Sequence, residues 1–159
     1  MRNNIYIDFG YLILIAATFG AVVVLGAFVA PVIFYTHNLM FEVELSSYDA
    51  GVIMTEIFRR FNYWLYLIGF SVLFYEVIMY KKGQRDAVVY GSAITVVFSA
   101  FMYSAIYSPK IIAMQMLGEE ATKSDTFRNI HFASELDFKI LAIALVILFI
   151  RRLSLLRVV

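Results

Sequence analysis

The longest uncharged stretches of the chain are the feature that most constrains its fold. Phe9 to Phe34 and Ala87 to Ser108 contain no Asp, Glu, Lys or Arg, and Phe61 to Tyr80 contains a single charge, Glu76. A bilayer core about 30 Å thick is crossed by about 20 helical residues. Each stretch is long enough to cross it. The sequence therefore predicts a membrane protein built from transmembrane helices.

Composition excludes several other classes of protein. Hydrophobic residues make up 62% of the chain and charged residues 16%, whereas a soluble domain carries about 25% charge. A soluble enzyme and a disordered tail are therefore excluded. The net charge of +1 lacks the basic surface that nucleic-acid binding requires. The predicted partner is the lipid bilayer.

The C-terminal part of the chain predicts a fourth span that contains charges. Ile140 to Ile150 is apolar for only 11 residues, so a full span must begin near His131. It then includes three charged residues: Glu135, Asp137 and Lys139. Charged residues within a membrane indicate a functional site. We predict an all-α integral membrane four-helix bundle, a single domain over residues 1–159, with spans at about 9–34, 61–80, 87–108 and 131–150.

The distribution of basic residues predicts the orientation. One side of the membrane collects the N-terminus, the short second loop and the C-terminus, with seven basic residues: Arg2, Lys81, Lys82, Arg85, Arg151, Arg152 and Arg157. The other side has six, spread over longer loops and helix ends. The positive-inside rule then places both termini in the cytoplasm. The predicted location is a bacterial inner membrane.

The start of the fourth span contains the strongest candidate for chemistry. Arg128, His131 and Glu135 follow i, i+3, i+7 spacing and share one helix face. A carboxylate next to an imidazole raises its basicity and fixes its tautomer, as in metal sites. The alternative is an interfacial histidine with a nearby ion pair, since Lys139 is also one turn from Glu135. His131 is the candidate ligand and Glu135 its orienting partner.

Two cofactors are compatible with the remaining residues. Met114 and Met116 form a Met-x-Met pair, and thioethers with imidazole suit Cu(I), although methionine is also a common apolar filler. A bis-histidine haem would join His37 to His131. Geometry argues against it, because His37 lies about 42 Å along a straight helix from Phe9, whereas His131 lies near the boundary. No motif specifies an enzyme, and the sequence favours none.

The outer loop between the first and second predicted spans adds a group of charges. Glu56 is spaced to pair with Arg59 and Arg60 on its own helix. This group is either a solvated ion-pair turn or one wall of a polar vestibule that faces the fourth helix. The vestibule would contain Glu56, Arg59, Arg60, Arg128, Asp137 and Lys139.

Other intramembrane features have simpler interpretations. Glu76 lies near the inner boundary, where Lys81 and Lys82 are its expected partners. Pro31 removes the amide that would bond to the carbonyl of Ala27, so a kink is expected there. Aromatic residues near the span ends are expected to anchor at the interface, among them Tyr11 and Trp64.

Two segments resemble a known family. Ala30-Pro31-x-x-Phe34 is followed by Gly51, Phe58 and Arg59, and the fourth span opens with Phe127-Arg128-Asn129-Ile130-His131 and Ser134. With four spans, this resembles the bacterial proteins similar to eukaryotic transmembrane protein 205, which is linked to platinum-drug resistance. The architecture is more loosely similar to copper-resistance protein D and the four-span protoporphyrinogen oxidase. Phe138 departs from the pattern, which has a polar residue there.

These observations lead to two functional hypotheses. The first is a small membrane protein that handles metal or haem through an outward-facing His/Glu/Arg site. The second is an accessory or assembly subunit that packs against a larger membrane complex and has no chemistry of its own. Small residues at four-residue spacing, such as Ala16 and Gly20, leave open a homo-oligomer or ordinary packing within one bundle.

Overall fold

The secondary structure of the described residues is helical. The computed structural model describes residues 5–36 and 45–156. Its helices are α1 (Ile5–Phe34), α2 (Ser47–Lys81), α3 (Ala87–Met116), α4 (Glu119–Thr122) and α5 (Asp125–Leu156). The all-α prediction is confirmed for this part of the chain.

Three of the long helices have the length and composition of membrane spans. α1, α2 and α3 are each apolar enough to cross a bilayer, which supports a multi-pass membrane protein. α2 begins at Ser47, so the helix extends outward beyond the predicted start of the span at Phe61, and the Ser46 side chain caps its N-terminus by accepting the amide of Asp49. α5 has a comparable length but carries several charges, and the fourth span stays a prediction.

The four long helices contact one another in a ring. α1 contacts α2 and α5, and α3 contacts the same two helices. Their shared interior consists of fully buried aliphatic side chains from all four helices: Ile15, Leu65, Ile68, Val72, Val96, Leu141, Leu145 and Leu148. Large apolar side chains also lie exposed on the outside, for example Phe74, Phe98 and Ile143. Such a surface is suited to lipid rather than water.

The start of α3 and the end of α5 are tied together. Asp86 caps α3 by accepting the amides of Val88 and Val89, and the Arg151 guanidinium donates to the same carboxylate at 2.6 Å. Gly83, at a φ of +86°, forms the turn between α2 and α3 that a side chain would strain. We call this end of the molecule the inner end and the opposite end the outer end. The sequence correctly groups the start of α1, this turn and the end of α5 at one end.

Each of the two prolines follows a π turn. The segment before Pro31, Val24–Val29, and the segment before Pro109, Tyr103–Tyr107, are π-helical. The residue preceding each proline donates its amide five residues back: Ala30 to Leu25 and Ser108 to Tyr103. The wider turn accommodates the ring, which lacks an amide and would clash with an α-helical carbonyl. Helix α1 therefore continues past Pro31 to Phe34.

The Asp86 link predicts an acid-dependent loss of stability. Hydrogen bonding from Arg151, with help from the Val89 and Val88 amides, lowers the pKa of Asp86 from 3.8 to about 2. Because the folded-state pKa lies below the unfolded one, the stabilisation is present above about pH 4 and is lost as the pH falls toward about 2. Asn at position 86 keeps the cap and removes the charge. In thermal unfolding in detergent, the Tm of the wild type should exceed that of Asp86→Asn at about pH 6, and the difference in Tm should close toward about pH 2. A constant gap would contradict this assignment.

Candidate functional site

A cavity of about 750 Å³ lies at the outer end, among α1, α2, α3 and α5. It opens where α1 leaves the shared interior. Helix α1 has buried residues from Asp8 to Val22, but none in the segments Val24–Val29 and Ala30–Phe34. The deeper lining is mostly apolar: Val22, Met54, Phe58, Tyr103, Phe138 and Ala142.

One wall of the cavity is a row of polar side chains on α5. His131, Glu135 and Lys139 are spaced one turn apart and all line the cavity. His131 Nε2 lies 3.2 Å from Glu135 Oε1, and Lys139 Nζ lies 3.9 Å from Glu135 Oε2. The three side chains are half-exposed or more. Glu135 therefore lies within ion-pair distance of two basic side chains, and all three groups line the cavity.

The opposite wall consists of polar groups from α2 and α3. Tyr48 donates its hydroxyl to the carbonyl of Gln115 at 2.9 Å, and the Ser108 hydroxyl accepts a hydrogen bond at 2.7 Å from the amide of Asn62, which does not itself line the cavity. The cavity is thus apolar at its base and polar on two sides.

Most charges of the predicted vestibule lie away from this cavity. Glu56 accepts hydrogen bonds from Arg59 at 2.6 and 2.8 Å and from Arg60 at 2.9 Å, as a local ion-pair turn on α2. Arg128 pairs with Asp125 in the first turn of α5. None of these residues lines the cavity. Of the predicted vestibule residues, Lys139 alone lines it.

The described residues do not support metal or haem handling. Met114 and Met116 do not line the cavity, and Met116 is fully outside at 83% exposure. Within residues 5–36 and 45–156, no group of three or more His, Asp or Glu side chains is placed to hold a metal ion. His37 lies outside the described residues. Ligation by His131 and His37 stays a prediction.

Asp137 lies behind the cavity wall, on the buried face of α5. It is 9% exposed and faces Ser99 of α3. Its Oδ2 atom has no hydrogen-bond partner in the described part of the chain. The sequence places Asp137 with the vestibule charges, but the helix turns it toward α3 instead.

The inner end contains a buried ionic cluster. The Arg152 guanidinium forms two hydrogen bonds with the Glu76 carboxylate, one of them from Nε to Oε1 at 2.9 Å. Tyr11 donates to the same oxygen at 2.8 Å, and Arg152 also donates to the Gln84 side chain. Glu76 and Arg152 are only 5% and 4% exposed. The expectation that Lys81 and Lys82 pair with Glu76 is wrong, because Arg152 fills that position.

Aromatic stacking extends the cluster to the start of α1. The Tyr11 and Tyr75 rings are stacked with centroids 3.7 Å apart, and the Arg152 guanidinium lies 5.4 Å from the Tyr75 centroid. Tyr75 donates its hydroxyl to Asp8 at 2.7 Å. Tyr11 is thus a buried hydrogen-bond donor rather than an interface anchor. Trp64 likewise turns inward and donates to Thr18 of α1.

A protein-family model covers most of this architecture. Residues 13–120 match the model described as a domain of unknown function, DUF4149. The chain belongs to this family. The DUF4149 match covers α1 from residue 13 onward together with α2 and α3, which form three sides of the cavity, and it ends before α5 with its polar wall. No curated protein and no solved structure matches the chain. The resemblance to transmembrane protein 205, copper-resistance protein D and protoporphyrinogen oxidase therefore stays a prediction.

The ionic cluster predicts that substitutions of two neighbouring arginines differ widely in their effect on the free energy of unfolding. Arg152→Met leaves the Glu76 carboxylate buried without a cation, which costs about 3–5 kcal/mol of unfolding free energy. The control Arg151→Met removes a solvent-exposed ion pair, which contributes far less because water screens it. Denaturant titration in detergent measures both.

The double variant provides the internal test of the pairing. Adding Glu76→Gln to Arg152→Met removes both charges and should recover most of the lost stability, because no unpaired ion stays buried. If the double variant is as unstable as Arg152→Met alone, the ion pair is not the source of the loss.

Proposed function

We propose that the protein binds a small amphiphilic molecule in the outer cavity. The observation that carries this proposal is the combination of an apolar base with the His131–Glu135–Lys139 wall. Ligand sites typically have volumes of roughly 300–1,000 Å³ and mainly apolar linings with a few orienting polar groups. The cavity of about 750 Å³ has both properties.

The polar wall indicates which end of the ligand it would contact. Lys139 carries three N–H donors, and its ammonium lies 3.9 Å from the Glu135 carboxylate. Donors therefore stay available to a ligand head group that accepts hydrogen bonds, such as a carboxylate, phosphate or carbonyl. The apolar body of the ligand would pack against Phe58 and Phe138, whose rings are 5.3 Å apart.

We also propose that α5 is the fourth span and that the inner end faces the cytoplasm of a bacterium. Exposed apolar side chains line the outside of α5 along its length: Phe132, Leu136, Ile140, Ile143, Ile147 and Ile150. Its buried charges point toward the other helices, which is the arrangement that a lipid environment requires. The higher density of basic residues at the inner end supports its cytoplasmic location.

The sequence also predicts two other functions. One is metal or haem handling with His131 as the ligand, and the other is an accessory subunit of a larger membrane complex. The described residues favour neither function over binding of an organic ligand. Both are outcomes of the binding experiment below.

The proposed topology is tested with single cysteines, since the chain has none of its own. Glu120→Cys places a thiol at the outer end and Ser154→Cys one near the end of α5. If α5 crosses the membrane, a membrane-impermeant maleimide should label Cys at position 120 on intact cells. It should label position 154 only after permeabilisation. Equal labelling of both variants on intact cells would show that α5 does not cross.

The proposed cavity is tested by filling it. Gly26 lines the cavity, and an added Cβ there meets no atom within 4 Å, so Gly26→Leu extends a side chain into open space. Gly20→Leu is the matched control, because Gly20 is equally open on the same helix but does not line the cavity. We expect native mass spectrometry of protein extracted from its own membranes to show a small bound molecule. The occupancy of the bound molecule should fall about tenfold in Gly26→Leu and stay unchanged in Gly20→Leu. For a site far from saturation, this corresponds to a loss of about 1.4 kcal/mol of binding free energy.

The same preparations distinguish the other functions. If elemental analysis finds stoichiometric iron or copper, and His131→Ala loses it, then the bound molecule is a haem or a metal rather than an organic ligand. Co-purification of a second protein with no small molecule would favour an accessory subunit. Equal occupancy in Gly26→Leu and Gly20→Leu would remove the cavity as the binding site.

A further inference from the structure

We infer that the Asp137 side chain is a proton-binding site. Its carboxyl group is a neutral carboxylic acid in the interior of the bundle, and its proton exchanges through the outer cavity. The proposal goes beyond ligand binding, and it stands on the position of this carboxyl group rather than on the identity of any ligand.

The first observation is that Asp137 is buried without a counter-charge. It lies on the interior face of α5 together with Ser134 and Leu141. The nearest cation along the helix, Lys139, is 72% exposed and lies beside Glu135 instead. In residues 5–36 and 45–156, Asp137 takes part in no ion pair, and the Ser99 hydroxyl is its polar neighbour.

Glu76 provides the comparison, because it is a buried carboxylate with the partners that an ionised group requires. Glu76 has a comparable burial, and it receives the Arg152 guanidinium and the Tyr11 hydroxyl. Asp137 has the Ser99 hydroxyl but no cation, and its Oδ2 is left without a hydrogen bond in the described residues. An ionised carboxylate in apolar surroundings costs several kcal/mol unless it is paired. Binding a proton removes that cost.

The titratable groups around Asp137 do not supply a compensating charge. Tyr103, on α3, is the titratable group that interacts with Asp137. Within the described residues, α1 and α2 add no charged group to its surroundings. Glu135, two residues away on α5, has the same sign of charge as an ionised Asp137 and so supplies no compensation.

The second observation is the position of Asp137 relative to the cavity. Ser134, Phe138 and Tyr103 line the cavity and also flank Asp137 along α5 or face it from α3. Residues that adjoin Asp137 therefore also line the cavity. Asn62 has a second buried oxygen, Oδ1, without a partner in the described part of the chain. Its amide bonds to Ser108, which lines the same cavity. Buried acceptors of this kind are commonly satisfied by water, and such water gives the proton a route outward.

Infrared spectroscopy tests the protonation state directly. A neutral carboxylic acid has a carbonyl band well separated from those of ionised carboxylates. In vesicles of phosphatidylethanolamine and phosphatidylglycerol at neutral pH, wild-type protein should show this band. Asp137→Asn should lose it, and Glu135→Gln, two residues away on the exposed face, should keep it. A spectrum in which Asp137→Asn and wild type have the same carbonyl bands from acid to alkaline pH overturns the proposal.

Two further measurements test the surroundings and the route. Ser99→Ala should shift the frequency of the band, because it removes the hydroxyl next to the carboxyl group, whereas Ser104→Ala should leave it unchanged. Ser104 is a matched control because it is buried on the same helix and bonds to the carbonyl of Ala100. Transfer into D₂O should shift the wild-type band within minutes. A band that stays unshifted would show that the proton does not exchange through the cavity.

Discussion

A charge in an apolar interior is stable only beside an opposite charge, and the inner half of this molecule is arranged around that constraint. Glu76 and Arg152 come from α2 and α5, and Tyr11 brings α1 to the same carboxylate. Apolar side chains alone set helix register weakly within lipid, since sliding one helix past another exchanges similar contacts. A buried ion pair has one acceptable register, because a shift of one turn leaves both charges unpaired. The pair therefore sets the register of α2 against α5, and the aliphatic side chains of the interior pack in that register.

The two ends of the bundle use polar residues differently. At the inner end, polar contacts join different helices, as between Asp86 and Arg151. At the outer end, Tyr48 and Asn62 join α2 to α3, but on α5 His131 and Lys139 contact Glu135 of their own helix, so the contacts of α5 do not close the space beside it. The inner end is therefore built for stability, whereas the outer end leaves a space that a ligand could enter at little cost in packing.

The helices, three apolar spans and the grouping of the inner end could be predicted from charge spacing alone. The pairing of His131 with Glu135 also follows from spacing, because contacts within one helix depend only on helical periodicity. Contacts between helices could not be predicted. They depend on the rotation of each helix about its axis, and a helix that is apolar all round carries little pattern that reports its rotation. For this reason the sequence shows both Glu76 and Arg152 near the inner boundary without showing that they meet, and it misplaces Asp137.

The π turns before the two prolines have a consequence for how such a protein can change. Each accommodates about one residue more than an α-helical turn, and one residue corresponds to a rotation of about 100°. The π turn takes up that extra residue within one turn, so deleting a residue within Val24–Val29 would return the segment to an α-helix while the residues after it, such as Ala30, keep their face. The same deletion in a regular α-helical part of α1 would instead turn the rest of the helix by about 100°. The π turn is thus a place where the chain can gain or lose one residue while the cavity lining beyond it and the inner half of the bundle stay as they are.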